Sequence, residues 1–173
     1  CRQIERGVNA PEASSLGRLF DAAAAVLGIR SVAAYEGQAP MEMEALAGVL
    51  PGEVLPFPAE RGADGVWVLD PVPLLAELGV RRARGQDVRT LAASFHESVA
   101  EAAAALAIRL CGTEGLDTVA LGGGCFQNAR LLASVTERIR RGGVRVLIPR
   151  LLGPNDGAVS YGQAVVASAR MDR

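Results

Sequence analysis

Two glycine-bearing stretches near the C-terminal end hold the residues best suited to chemistry, LGGGCFQN over 121–128 and LGPNDG over 152–157. Gly122, Gly123 and Gly124 can take positive φ and let a ligand approach the backbone, while amides of a following helix can point at a phosphate or carbonyl. Asn128 offers both a donor and an acceptor. The same glycines also suit a plain strand-to-helix turn, and short glycine motifs recur by chance, so both readings stand. Asp156 precedes an apolar segment, where a carboxylate either binds a metal ion or caps a helix. Cys125 could be a thiol activated at a helix amino end, although a small buried residue is the commoner role of a free cysteine. His96 is the single histidine, so neither a histidine ligand pair nor a Ser–His–Asp triad closes within the chain. In the polar turn Tyr35, Glu36, Gly37 and Gln38, Glu36 either bridges a ligand hydroxyl or faces water.

These residues need elements to hold them. Apolar spacing predicts a helix over 16–27, with Ser14 or Ser15 as cap and Gly28 closing it. An extended piece around 31–35 leads to a second, half-exposed helix over 40–49, ended by Pro51 and Gly52. The proline-rich stretch 52–65 is a loop or a pair of short edge strands around 53–57, and GVWVLD over 65–70 is a strand. Asp70 and Pro71 start a short helix that ends at Gly79. Residues 86–110 form one long alanine-rich helix capped by Asp87. Then strand, loop and helix alternate twice: DTVAL, GGGCFQN and 129–141, followed by VRVLI, PRLLGPNDG and 158–169. That order predicts an α/β fold with parallel strands joined by right-handed crossovers. Ligands of such sheets bind beyond the carboxyl ends of the strands, which is where both glycine loops fall.

Composition narrows the function. The 173 residues carry 18 basic and 19 acidic side chains, net −1, and every basic residue is arginine. The lysine of a Walker phosphate loop and any Schiff base are thereby excluded for this stretch. Balanced charge and 4% aromatic content do not match a nucleic-acid binder. The most apolar run, Ala22–Ile29, falls far short of the ~20 residues that cross a bilayer, so no membrane span is expected. Three widely separated cysteines argue against a disulfide framework or a structural zinc site and favour a reducing, cytoplasmic setting. The chain starts at Cys1 with no signal-peptide pattern behind it, and it reads as a segment of a longer protein.

The segments NAPEASSLGRLFDAAAAVLG, YEGQAPMEMEALA, FHESVA, LGGGCFQN and PNDGAVSYGQA, in this order from Asn9 to Ala167, resemble the HypF family of hydrogenase-maturation carbamoyltransferases. The resemblance is to the C-terminal half of the family's Kae1-like domain. It implies one ribonuclease-H-like lobe of the actin/Hsp70-like ATPase fold, with a partly parallel sheet flanked by helices. It further implies that carbamoyl phosphate and ATP give carbamoyl-adenylate, whose carbamoyl group passes to the C-terminal cysteine of a HypE partner. That thiocarboxamide is then dehydrated to the cyanide ligand of NiFe hydrogenase. By motif, Gly123, Gly124 and Asn128 would hold the adenylate, and Ser14, Ser15 and Gly17 would line its ribose, where related Kae1 enzymes carry acidic residues. Asp156 matches the aspartate that ligates a divalent metal, which could be iron, zinc or magnesium. An acyl-adenylate needs donors around its phosphate, and a metal can polarise its carbonyl, so the residue types suit these roles.

Pro40 stands where the family commonly has alanine, and Cys125 where it has valine; both are expected to be packing variants. The family's HxxH metal motif, zinc fingers, acylphosphatase domain, YrdC-like domain and other Kae1-like lobe have no counterpart in these residues. The segment alone is therefore expected not to catalyse the whole reaction. Two other readings are an O-carbamoyltransferase of antibiotic tailoring, with the same fold and a sugar hydroxyl as acceptor, and a non-catalytic lobe that only docks HypE or a second lobe.

Overall fold

The computed structural model describes residues 2–8 and 10–171; Cys1, and Asn9 where the family resemblance begins, lie outside the described residues. After a single turn, α1 (Arg2–Glu5), the chain enters α2 (Leu16–Val26). Ser15 stands at the N-cap of α2, but its hydroxyl makes no capping bond, contrary to expectation. Gly28 closes the far end as expected, with φ +73° and its N–H donated to the Ala25 carbonyl. Helix α3 (Gln38–Ala47) begins two residues before the expected start. Gly37 (φ +81°) turns the chain into it, so Pro40 falls in the first turn, where its missing N–H costs nothing.

The stretch 53–57 is a loop, not a strand pair, because a helix takes its amides. Ser94 Oγ accepts the Glu53 N–H at 3.0 Å and Ser98 Oγ accepts the Leu55 N–H at 2.7 Å. Both serines stand on α5 (Val88–Glu114) and donate their own hydroxyls back to carbonyls four residues earlier. Gly52 permits the approach: a Cβ there would lie 2.5 Å from the Ala93 carbonyl. The strands are instead β1 (Ala59–Arg61) and β2 (Trp67–Leu69), an antiparallel hairpin.

Helix α4 (Val72–Ala83) begins after Asp70, whose carboxylate accepts the Val72 N–H at 3.0 Å. It runs past Gly79, the expected end, to Ala83. Gly79 lies against Val26 of α2, and the turn beyond it is held by Arg81, bonded to Glu53 and Glu77, and by Arg82, which donates to the Leu27 carbonyl. Tertiary anchors outweigh the roughly 1 kcal/mol that an interior glycine costs a helix. Asp87 caps α5 by accepting the Arg89 N–H. The helix passes the expected end at Leu110 and stops at Gly115, whose φ of +65° breaks it.

By length and composition α5 is the one helix among the described residues that could cross a membrane, which the shorter apolar run had not suggested. Its apolar side is occupied within the fold: it packs against α3, α4 and α6, and Leu91, Phe95 and Val99 join Phe20, Leu27, Met43, Leu74 and Leu78 in the core.

Strand β3 (Thr118–Ala120), helix α6 (Ala129–Arg141) and strand β4 (Arg145–Leu147) form the expected crossover unit, with the strands parallel and Val119 opposite Val146. Leu131, Val135 and Ile139 seat α6 on the core. A second face of α6 is clamped to α5 by charge. Glu97 accepts from Arg130 at 2.9 Å, Arg138 at 2.7 Å and Ser134 at 2.9 Å, and Arg138 also reaches Glu101 at 2.8 Å. The last helix, α7 (Val159–Met171), replaces the expected 158–169 and has no buried residue, with Val159, Tyr161, Val165 and Val166 all at least half exposed.

Candidate functional site

The two glycine loops are neighbours, as their place after parallel strands requires: the Gly123 N–H donates to the Pro154 carbonyl at 2.6 Å. Gly123 has φ +102°, a conformation open to glycine, and leads into a 3-10 turn over Gly124–Gln127. A Cβ on Gly122, Gly123 or Gly124 would meet nothing within 4 Å, so these glycines are not packing devices. All three are exposed. Among the described residues no acceptor takes the amides of Gly122 and Gly124. The turn thus presents open donors beside free space, which is what close approach of an anionic ligand needs.

The first turn of α6 cannot serve that purpose, contrary to the expectation for a helix amino end. Glu44, from α3, accepts the Ala129 N–H at 2.8 Å and the Arg130 N–H at 3.3 Å. Asn128 Oδ1 accepts the Leu131 N–H at 2.8 Å. These orphan donors are already satisfied by an internal carboxylate and a cap.

Asn128 is itself buried, at 8% exposure, and both ends of its amide are used. Its Nδ2–H donates to His96 Nε2 at 2.9 Å. One N–H and one lone pair of the amide are thus engaged inside the fold, leaving a second of each. His96 is wholly buried and pairs its Nδ1 with the Ala92 carbonyl at 2.7 Å. A carbonyl can only accept, so Nδ1 carries the hydrogen and Nε2 accepts from Asn128. Burial pushes the imidazole pKa below its ordinary value, against the pull of the Ala92 bond. The sequence had left this histidine's role open; it is structural in contact and neutral.

The Cys125 thiol is half-buried and burial pushes its pKa up, so it is no activated nucleophile and packs against the core as a small residue. Ser14 and Ser15 are exposed, and Gly17 lies half-buried in the first turn of α2. That helix packs against the 3-10 turn after the glycines, and its Phe20 ring meets His96 edge-on at 5.3 Å. The structure therefore brings α2 and the two loops to one region. Gln38, the first residue of α3, is internal: its Oε1 accepts the Ala34 N–H, and its Nε2 donates to Glu42, which binds Arg30. Tyr35 and Glu36 face solvent.

Asp156 opens a second 3-10 turn (Asp156–Ala158) and is exposed. Among the described residues no three His, Cys, Asp or Glu side chains converge on a point that could hold a metal. One carboxylate is at most one ligand, so these residues do not by themselves form a metal centre.

A groove of about 1030 Å³ lies elsewhere, between α5 and α6, lined by Glu97, Arg130 and Arg138. Its charged groups are paired with one another, and we assign it to packing.

The match to a family model decides the relationship: residues 1–163 fit the carbamoyltransferase Kae1-like domain, second subdomain, of HypF. The chain belongs to the HypF family of carbamoyltransferases. It is 41% identical over 168 residues to the carbamoyltransferase HypF of Rhodobacter capsulatus, covering 96% of this chain and 21% of that protein. With HypF of Rhizobium leguminosarum the identity is 43% over 158 residues, or 91% of this chain and 20% of that one. Among solved structures, full-length HypF in its phosphate- and nucleotide-bound form superposes with a TM-score of 0.92 at 33% identity, covering 99% of this chain and 22% of that one. The chain thus spans about a fifth of the length of these HypF relatives, and it has the helix-rich α/β, Kae1-like fold of the family with a small parallel sheet.

Proposed function

We propose that this chain forms one wall of an ATP-dependent carbamoyltransferase site, in which carbamoyl phosphate and ATP yield carbamoyl-adenylate and the carbamoyl group then passes to the C-terminal cysteine of a HypE partner. The observation that carries the reading is the Gly123–Pro154 hydrogen bond, which fastens two loops together and leaves the Gly122 and Gly124 amides open. Support also comes from a HypF crystal structure of this fold described as phosphate- and nucleotide-bound.

In this reading the open amides of the glycine turn donate to the adenylate phosphate, in place of the helix end that Glu44 occupies. Ser14, Ser15 and Gly17, at the start of α2, border the ribose. Asn128 acts from behind the turn, as a support. Transfer consists of attack by a cysteine sulfur on the carbamoyl carbon with departure of AMP, and the amides stabilise the leaving phosphate as it gains charge. Asp156 contributes one carboxylate to a divalent metal whose other ligands come from outside these residues, as do the second lobe and the YrdC-like domain; when bound, a metal polarises the carbamoyl carbonyl.

In the full-length protein, Asp156→Ala is expected to abolish carbamoyl transfer to the acceptor while adenylate formation, followed by pyrophosphate release, stays within a few-fold of wild type. Equal loss of both half-reactions would remove Asp156 from this role.

A further inference from the structure

We propose that His96 is a positioning residue for the nucleotide loop: through its hydrogen bond to Asn128 it fixes the glycine turn that receives the nucleotide phosphate. The inference rests on the nucleotide reading of that turn. A buried imidazole needs both nitrogens satisfied, and this one spends its Nδ1–H on Ala92, a residue of its own helix, keeping Nε2 for Asn128. The tautomer and ring orientation are thereby set by α5 before the loop is considered.

Asn128 sits where two elements meet. It is the C-cap of the 3-10 turn, with its N–H donated to the Cys125 carbonyl at 3.2 Å, and the N-cap of α6. Capping alone would be served equally by Ser or Asp. What those residues lack is an N–H donor that can reach His96. The amide is therefore explained by the pair of bonds together: Oδ1 holds α6, and Nδ2 holds the junction down onto α5. Phe20 of α2 meets the same imidazole edge-on at 5.3 Å. His96 thus touches both elements that border the nucleotide, α2 through Phe20 and the glycine turn through Asn128, and meets no ligand itself.

The test is isothermal titration of ATP into the full-length protein and its variants, with kcat measured at saturating nucleotide. Asn128→Ser retains the cap and deletes only the donor to His96. It is expected to weaken ATP binding at least tenfold with kcat within twofold of wild type, and His96→Leu to do the same. His96→Gln, whose Oε1 can accept where Nε2 did, is expected to bind within threefold of wild type. A merely structural role would lower stability and the active fraction without this split between affinity and turnover. Should His96→Leu fail to fold, Asn128→Ser and His96→Gln decide the matter. Unchanged affinity in folded Asn128→Ser, or an equal loss in His96→Gln and Asn128→Ser, overturns the proposal. If wild-type protein binds no ATP, the nucleotide reading fails first and this inference falls with it.

Discussion

Removing Glu97 tests how α6, and with it the glycine turn, is held to the core. Its carboxylate is 17% exposed and bonds two guanidiniums, those of Arg130 (14%) and Arg138 (22%), together with Ser134. Burial raises its pKa, but hydrogen bonds from Ser134, Arg138 and Arg130 and the Arg138 charge outweigh that and hold it below the usual carboxylate range. Breaking a fully buried pair costs 3–5 kcal/mol, most of it from the stranded charge. Arg138 keeps Glu101, and Arg130, though it loses its ion pair, keeps the Gly48 and Leu50 carbonyls at 2.7 and 2.8 Å. We therefore expect Glu97→Ala to destabilise the chain by about 2–3 kcal/mol, a fall in Tm of roughly 5–10 °C for a domain of this size. Thermal and urea unfolding measure it. Glu137→Ala is the control, since its bond to Arg141 is exposed on both sides and is worth about 0.5 kcal/mol or less. A Glu97→Ala loss no larger than that of Glu137→Ala would refute the clamp. The sign with pH also follows: a depressed carboxylate pKa in the folded state stabilises above the unfolded value of 4.5, and this part is lost as pH falls through the folded value.

Two further perturbations address the core. Gly52→Ala places a methyl 2.5 Å from the backbone of Ala93, and should cost about 1–3 kcal/mol by forcing the loop off α5, against a few tenths if the loop shifts freely. His96, neutral when folded, gives stability that is full above its unfolded pKa of 6.5 and declines as pH falls from there toward the lower folded value, because the unfolded chain takes the proton first. Arg130, which opposes that proton, and Glu44 and Glu97, which favour it, are the charges acting on the ring. Urea midpoints at pH 7.5 and 5.5 should therefore differ more in wild type than in His96→Gln, and an equal difference would show that other groups set the slope.

The helices and the crossover unit were legible because their signals are local. Asp87 and Asp70 before apolar runs, Gly28 after one, and β-branched strands followed by glycine all act within a few residues. The juxtaposition of the two loops was legible for the same reason, since parallel topology forces it. What escaped depended on partners far along the chain. Glu44 caps a helix 85 residues away, and nothing in MEMEALA signals it. Serines on α5 decide for the loop over the strand pair at 53–57, two alternatives the prolines leave open, and Arg81 and Arg82 carry α4 past a glycine that reads as a stop. Asn128 had a local signal, its place before an apolar helix, and it stands at the cap of α6. His96 falls within the long helix as its spacing requires, but its partner was not legible, since its bond to Asn128 spans 32 residues and no spacing rule relates them.

The account depends most on the glycine turn as the nucleotide contact, and one titration tests it directly. ATP is titrated into the full-length protein and into its Gly123→Ala variant, in which a side chain is forced onto a φ of +102° without any clash nearby. The turn must re-form with its amides redirected. The account predicts at least tenfold weaker binding in the variant with the melting temperature little changed; equal affinity in the two proteins would contradict it.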